Sequence, residues 1–211
     1  MYRLFSILLL LVATSSVRAQ HPGYTPVADL AKFTADFSAA TTKMLSVKSD
    51  FTQEKNLSML SEKITSKGKF WFKKESRVRM EYTQPYQYLM ILNKDKIYIK
   101  DGQKENKISA GSNKLFQQIN KIMIDCMQGT ALGNTDFKTK IFENKTSSLI
   151  ELTPVTKNLA TLFKTINVIV DNRDFSVTSI EMKEVSGDNT LIRFTNKELN
   201  ASLPDSLFAI K

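Results

Sequence analysis

GKFWFKKESRVRMEYTQP, residues 68–85, carries the clearest structural signal in this chain. Its first part is aromatic at Phe70, Trp71 and Phe72, and a polar KKES turn separates it from RVRMEY at residues 77–82. That second segment alternates strictly between charged and apolar side chains. Because successive side chains of a β-strand point to opposite faces, the alternation predicts a sheet with one polar and one apolar face.

The period of two continues along most of the chain and is interrupted only by short connections. We predict strands at residues 46–55, 64–73, 77–83, 86–93, 95–100, 104–109, 136–143, 147–153, 164–171, 176–185 and 189–199. Asp101-Gly102 is typical of a hairpin turn. Parallel neighbours would need long crossovers, so the short connections predict an antiparallel sheet.

Two segments have a helical period instead. The first is predicted to begin at Thr25-Pro26, as N-cap and first helical residue, and to reach Leu45. The second covers residues 113–128 and stops at Gly129. Its apolar face comprises Leu115, Phe116, Ile119, Ile122, Met123, Cys126 and Met127. The predicted architecture is therefore one mainly β domain with two inserted helices.

The N terminus has the pattern of a secretory signal peptide. A basic Arg3 precedes an apolar run at residues 4–13, and a polar region ends with Ala19. We expect residues 1–19 to be removed and residues 20–211 to form a single exported domain. Gln20 stands where a lipidated protein would have cysteine, so the mature chain is expected to be unlipidated and periplasmic.

Composition argues against most catalytic chemistry. The chain has 211 residues, a formal charge of +9, one histidine and one cysteine. His21 lies in an N-terminal segment that we expect to be disordered, and Cys126 lies on a helical apolar face, where a small buried hydrophobe is the simplest role. A histidine triad, a histidine metal cluster and an intramolecular disulfide are excluded on these grounds. We expect a binding protein that is not an enzyme and has neither a cofactor nor a metal.

The order of these motifs resembles the LolA family of periplasmic lipoprotein carriers. The resemblance rests on Phe51-Thr52-Gln53, the aromatic strand and basic turn, the Gln84-Pro85 stop, and TLIRFTNKELN at residues 190–200. It implies an α+β, mainly β fold, in which an open antiparallel half-barrel of about 11 strands carries an N-terminal helix and a mid-chain helical lid. It also implies an apolar cavity beneath the lid.

Strand alternation places Val78, Met80, Tyr82, Tyr88 and Met90 on the apolar face that the helices cover. Apolar helix faces by themselves favour helices that stay packed on the sheet as part of a fixed core, which we call a permanent plug. The methionines of the second helix and the export signal favour a movable lid instead. In the family an arginine in the turn after the aromatic strand latches the lid, and Lys74 occupies that place here. The full set of candidate acyl-cavity residues is Phe37, Met44, Val47, Phe70, Phe72, Val78, Met80, Tyr82, Tyr88, Met90, Phe116, Ile119, Ile122, Met123 and Met127.

The resemblance further implies a monomer that takes the acyl chains of lipoproteins from an inner-membrane ABC-type release complex and passes them to an outer-membrane acceptor. Two other functions stay open: a carrier of another exported amphiphile, such as a glycolipid or an acylated precursor, and a non-catalytic domain that senses lipoproteins. Nucleic acid is not an expected partner of an exported chain. The charged residues of RVRMEY, on the face opposite the cavity, are expected to contact water or a partner.

Overall fold

A single antiparallel sheet dominates the protein. The structure is a computed structural model that describes residues 21–94, 96–102, 104–109 and 114–210, without the side chains of 105–109 and 114–120. Within these residues the strands are β1 (Thr25–Pro26), β2 (Ser46–Leu57), β3 (Glu62–Lys73), β4 (Arg77–Gln84), β5 (Tyr88–Asn93), β6 (Lys96–Asp101), β7 (Lys104–Ser109), β8 (Phe137–Glu143), β9 (Ser147–Pro154), β10 (Phe163–Asp171), β11 (Val177–Glu184) and β12 (Asn189–Leu199). The helices are α1 (Leu30–Lys43), α2 (Lys114–Gln128) and the short α3 (Lys157–Ala160).

The strand order is β1-β8-β9-β10-β11-β12-β2-β3-β4-β5-β6-β7, so β1 and β7 are the two edges and the sheet does not close. The eleven predicted strands are all present, with the antiparallel pairing expected from their short connections. Gly129, the predicted stop of the second helix, follows α2 in the left-handed conformation with φ of 74°. The predicted half-barrel with two inserted helices is therefore confirmed.

The predicted start of the first helix is wrong. Thr25 and Pro26 form the edge strand β1, in which Thr25 lies opposite Glu143 of β8. Proline has no backbone N–H to donate to a neighbouring strand. It is tolerated there because an edge strand has a neighbour on one side only. The N-cap of α1 is Asp29, whose carboxylate accepts a hydrogen bond from the Lys32 backbone N–H at 2.9 Å. The helix also ends at Lys43, two residues before the predicted position.

One face of the sheet is apolar along rows of directly opposed residues. The row at one end of β2–β6 is Val47, Phe72, Val78, Leu92 and Ile97. A corresponding row on β8–β12 is Ile141, Ile150, Val168, Ile180 and Ile192. Both rows belong to one continuous core that also contains side chains of α1 and α2. We call this helix-covered side of the sheet the inner face.

The opposite, outer face is covered in part by the C-terminal segment, residues 201–210. Phe208 is 0% exposed and packs with Ile91 and Leu203 in a second core, against which Trp71 lies half-buried. The Asn93 side chain donates to the Phe208 carbonyl at 3.0 Å. Trp71 is therefore an outer-face anchor, and Phe70 and Phe72 on either side of it point inward.

This segment corrects one expectation about the charged residues of β4. Arg77, Arg79 and Glu81 lie on the outer face as predicted, but the two arginines contact the chain itself. Arg77 pairs with Asp205 at 2.7 Å, and Arg79 donates to the Leu207 carbonyl at 3.3 Å. The short C-terminal segment supplies hydrogen-bond acceptors for these two arginines, which the sequence pattern alone had placed in contact with water or a partner.

The beginning of the described chain is also ordered, contrary to the expectation for His21. The His21 ring lies 2.9 Å from a carboxylate oxygen of Glu151 and packs edge-on against Phe142. The Tyr24 hydroxyl shares a hydrogen bond of 2.7 Å with Ser147. These contacts fix the chain before β1 against β8 and β9.

Gly68 explains why the Phe51-Thr52-Gln53 motif and the aromatic strand occur together. Gly68 on β3 lies between Phe51 on β2 and Tyr82 on β4, whose rings meet edge to face at 4.9 Å. The Tyr82 hydroxyl then donates to the Gln53 side-chain oxygen at 3.0 Å. A Cβ atom at position 68 would lie 2.1 Å from the Glu81 carbonyl oxygen and 2.8 Å from the Phe51 ring. Glycine is required for this close approach of three strands.

We expect Gly68→Ala to lower the free energy of unfolding by about 1–3 kcal/mol or more, since overpacking against backbone has no easy relief. Urea denaturation followed by circular dichroism measures the change. Gly133→Ala is the matched control, because no atom lies within 4 Å of its added Cβ, and we expect a change within about 0.5 kcal/mol. Equal stability of the two variants would contradict this packing of β2, β3 and β4.

Candidate ligand-binding site

The inner face and its two covering helices form the candidate site. Phe33 and Phe37 of α1 and Ile122, Met123 and Met127 of α2 are buried against the sheet. Among the described residues, no backbone hydrogen bond joins either helix to a strand. The cover is therefore held by side-chain packing, which can separate without breaking a hydrogen-bonded ladder.

The predicted cavity residues come together, and they pack against one another. Tyr82 and Tyr88 are partly buried against the core, while the side chains of Phe116 and Ile119 of α2 lie outside the described residues. The fully buried members of the predicted set are Phe37, Met44, Val47, Phe70, Phe72, Val78, Met80, Met90, Ile122, Met123 and Met127. These side chains thus lie together in one buried core between the sheet and the two helices.

Methionine is concentrated in this interior. Six of the eight methionines in the chain belong to the inner core. Their side chains are unbranched and polarizable, so they repack around varied apolar shapes at low cost. An interior of this composition can accept a ligand after rearrangement more easily than one built from branched side chains.

A cleft of about 260 Å³ lies at the ends of β4–β6, where Glu81 and Leu89 of the outer face form part of its lining. Tyr82 and Tyr88 line it, and their rings contact each other edge to face at 5.4 Å. Burial raises the pKa of both phenols above the ordinary value. The Tyr82 hydroxyl already donates its proton to Gln53.

The two helices meet closely at one point. A Cβ atom added to Gly129, which follows α2, would lie 2.2 Å from the Thr41 hydroxyl of α1. Beside this contact a gap of about 550 Å³ separates the helices, and Asp125 on its wall accepts hydrogen bonds from Lys121 and Asn134. The glycine makes both the turn and the helix contact possible.

Lys74, the predicted latch, contacts α1. Its ammonium group donates to the Thr42 carbonyl in the last turn of that helix, and its backbone N–H donates to the Leu45 carbonyl at 2.9 Å. The resemblance had implied instead that Lys74 forms a hydrogen bond with the mid-chain helix, which is α2. The carbonyls of a last helical turn have no partner within the helix and attract a nearby lysine. Lys74 thus fixes the junction between α1 and β2.

Chemically the site has few reactive groups. Cys126 is buried on the inner side of α2, and burial, followed by the neighbouring Asp125 charge, raises the pKa of its thiol above the ordinary value. Within the described residues no group of histidine, cysteine and acidic side chains is arranged to hold a metal ion. No helix in the described part of the chain is long and apolar enough to cross a membrane.

Several solved structures are similar to this chain. LolA superfamily protein NE2245 from Nitrosomonas europaea has a TM-score of 0.47 and 10% identity, covering 85% of this chain and 96% of that chain. An uncharacterized conserved protein from Thermus thermophilus has a TM-score of 0.50 and 6% identity, covering 85% and 93%. A chain in the complex structure of Pseudomonas aeruginosa MucA/MucB has a TM-score of 0.50 and 11% identity, covering 85% and 60%. At these identities the likeness concerns the fold alone.

Sequence comparison identifies the family. No curated protein sequence matches the chain at a significant level. The family model described as outer membrane lipoprotein carrier protein LolA matches residues 42–211. That match begins before β2 and includes every later strand, α2 and the C-terminal segment. The chain therefore belongs to the LolA family of outer membrane lipoprotein carrier proteins.

Proposed function

We propose that this protein is a periplasmic carrier of lipoproteins. It shields their acyl chains from water and carries the lipoproteins from the inner membrane to the outer membrane. The observation that carries the proposal is the inner face itself, an apolar surface covered by two helices through side-chain contacts. Loading would displace the helices and place acyl chains against the same residues. The acyl-cavity residues given above, including Phe116 and Ile119, are proposed to line the loaded form.

A closed empty form is what a carrier of this kind needs. Each methylene of an acyl chain removed from water contributes about 0.8 kcal/mol, so a multi-chain anchor does not cross an aqueous space unaided. An equally apolar open pocket would be a large exposed patch and would promote aggregation. Packing of α1 and α2 onto the inner face prevents this while no cargo is present.

The proposed partners follow from the direction of transport. An ABC-type release complex in the inner membrane would supply the lipoprotein, and an outer-membrane acceptor would receive it. The protein would act as a monomer without a cofactor and without catalysing a reaction, since transfer requires only a difference in affinity. Lys74 would serve as a fixed point at the end of α1 while the rest of that helix moves.

Binding of a synthetic triacylated lipopeptide tests the proposal. We expect Met80→Glu to lower the affinity at least about tenfold, because the empty variant can open and leave the carboxylate in water, whereas bound acyl chains would enclose it without a partner. Met59→Glu introduces the same change at a hairpin position that is 92% exposed, and its affinity should stay within about twofold. Fluorescence titration measures both variants after circular dichroism has shown that they fold.

Failure of the unaltered protein to bind the lipopeptide would contradict the proposed function. If the Met80→Glu and Met59→Glu variants bound the lipopeptide equally tightly, the acyl chains would not lie against the inner face at Met80.

The buried thiol of Cys126 tests whether α2 moves while the sheet stays folded. We expect a small neutral thiol reagent to label Cys126 without denaturant, at a rate faster than global unfolding permits. Gly129→Ala should raise this rate roughly tenfold or more, because it strains a residue with φ of 74° and overlaps Thr41 in the closed form.

Gly133→Ala, which meets no neighbouring atom, is the control and should label at the original rate. Labelling that occurs only in step with global unfolding in all three proteins would make α2 a permanent plug.

A further inference from the structure

Ser49 is a polar residue in the middle of the apolar inner face. It lies on β2 between the inward-pointing residues Val47 and Phe51 and directly opposite Phe70 of β3. The residue is 3% exposed, and its hydroxyl has no hydrogen-bond partner among the described residues. The rows on both sides of it are built from apolar side chains.

Most other buried polar side chains of the described chain have hydrogen-bond partners. Ser46, on the same strand but facing outward, donates its hydroxyl to the Ala201 carbonyl at 2.6 Å. Two asparagines, at positions 167 and 189, have an unpaired side-chain oxygen, but each donates its amide N–H to Glu181. Ser49 differs because its only polar side-chain group is unpaired.

The neighbouring strand β12 has an irregular register opposite Ser49. On β12, Thr195 lies opposite Asp50 and Glu198 lies opposite Lys48, so the bulge falls beside Ser49. Bulges of this kind are frequent next to functional sites, where they redirect a side chain or interrupt pairing. Here the bulge carries the Asn196 side chain to Asp50 on the outer face, at 2.8 Å.

An unpaired buried hydroxyl destabilises the closed form, because the group has lost its water without gaining another partner. Alanine would fill nearly the same volume without that cost. The hydroxyl therefore points to a second state of the protein in which it is paired. The opened, loaded form is the state in which a new group reaches the inner face.

We propose that Ser49 donates a hydrogen bond to the carbonyl oxygen of an ester-linked acyl chain bound on the inner face. This inference rests on the proposed function and adds a chemical preference to it. An ester carbonyl is an acceptor that also needs a partner once it is buried among apolar side chains. Pairing it with Ser49 satisfies both groups, so the site favours acyl esters over alkyl ethers of equal length.

Two synthetic lipopeptides provide the test. One carries two palmitoyl ester chains on its glyceryl-cysteine, and the other carries two hexadecyl ether chains and has no chain carbonyl. We expect the protein to bind the ester probe more tightly than the ether probe. Ser49→Ala should weaken ester binding roughly 2- to 10-fold, the range for one net hydrogen bond, and leave ether binding within about twofold.

Ser46→Ala is the matched control, since it makes the same change on the same strand at an outward-facing, paired hydroxyl. It should leave both affinities within about twofold. Thermal melting of the empty proteins adds an independent readout. Ser49→Ala should melt at the same temperature as the unaltered protein or higher, whereas Ser46→Ala should melt lower.

Loss of affinity for both probes in Ser49→Ala, or for neither, would overturn the inference while leaving the carrier function in place. A lower melting temperature of empty Ser49→Ala would also overturn it. If the unaltered protein binds neither probe, the proposed function fails and the inference fails with it.

Discussion

The structure depends on one constraint: the apolar face of an unclosed sheet must be kept from water. The alternating side-chain directions of β2–β6 and β8–β12 put a continuous set of apolar residues on one side, and the open strand order leaves that side uncovered by the sheet itself. Helices α1 and α2 supply the cover. Their amphipathic sequences, the tight Gly129–Thr41 contact and the methionine-rich interior are all consequences of closing this face.

The two sides of the sheet are covered in different ways, and the difference bears on function. On the outer face the C-terminal segment is attached by directed bonds: Asp205 accepts from Lys73 and Arg77, and the Phe208 carbonyl accepts from Asn93. On the inner face the described contacts of the helices with the strands are made by apolar packing, and Lys74 in the turn after β3 adds a hydrogen bond to the last turn of α1. A cover with few directed bonds is the easier of the two to separate and re-form, so movement is expected on the inner side, away from Lys74.

Much of this fold was predictable because strand alternation is a local signal. The eleven long strands, the apolar face of RVRMEY and the stop at Gly129 each follow from residues close together in sequence.

The features that the sequence did not predict are contacts between distant segments. Thr25-Pro26 looks like a helix start until β8, more than a hundred residues later, pairs with it. The partners of Arg77 and Arg79 lie in the C-terminal segment, whose short pattern shows no period. Lys74 was placed correctly in its turn, but its position does not reveal which helix it contacts. The unpaired state of Ser49 is also invisible in sequence, since a serine in a strand usually finds a partner.

Hydrogen exchange measured by mass spectrometry, with and without a triacylated lipopeptide, tests most directly whether the inner face opens to receive cargo. We expect α2 (Lys114–Gln128) to be less protected than β4 and β5 in the empty protein, and its protection to change on loading while that of the two strands does not. Equal and full protection of α2, β4 and β5 in both states would contradict it, because the inner face would then be a permanently filled core.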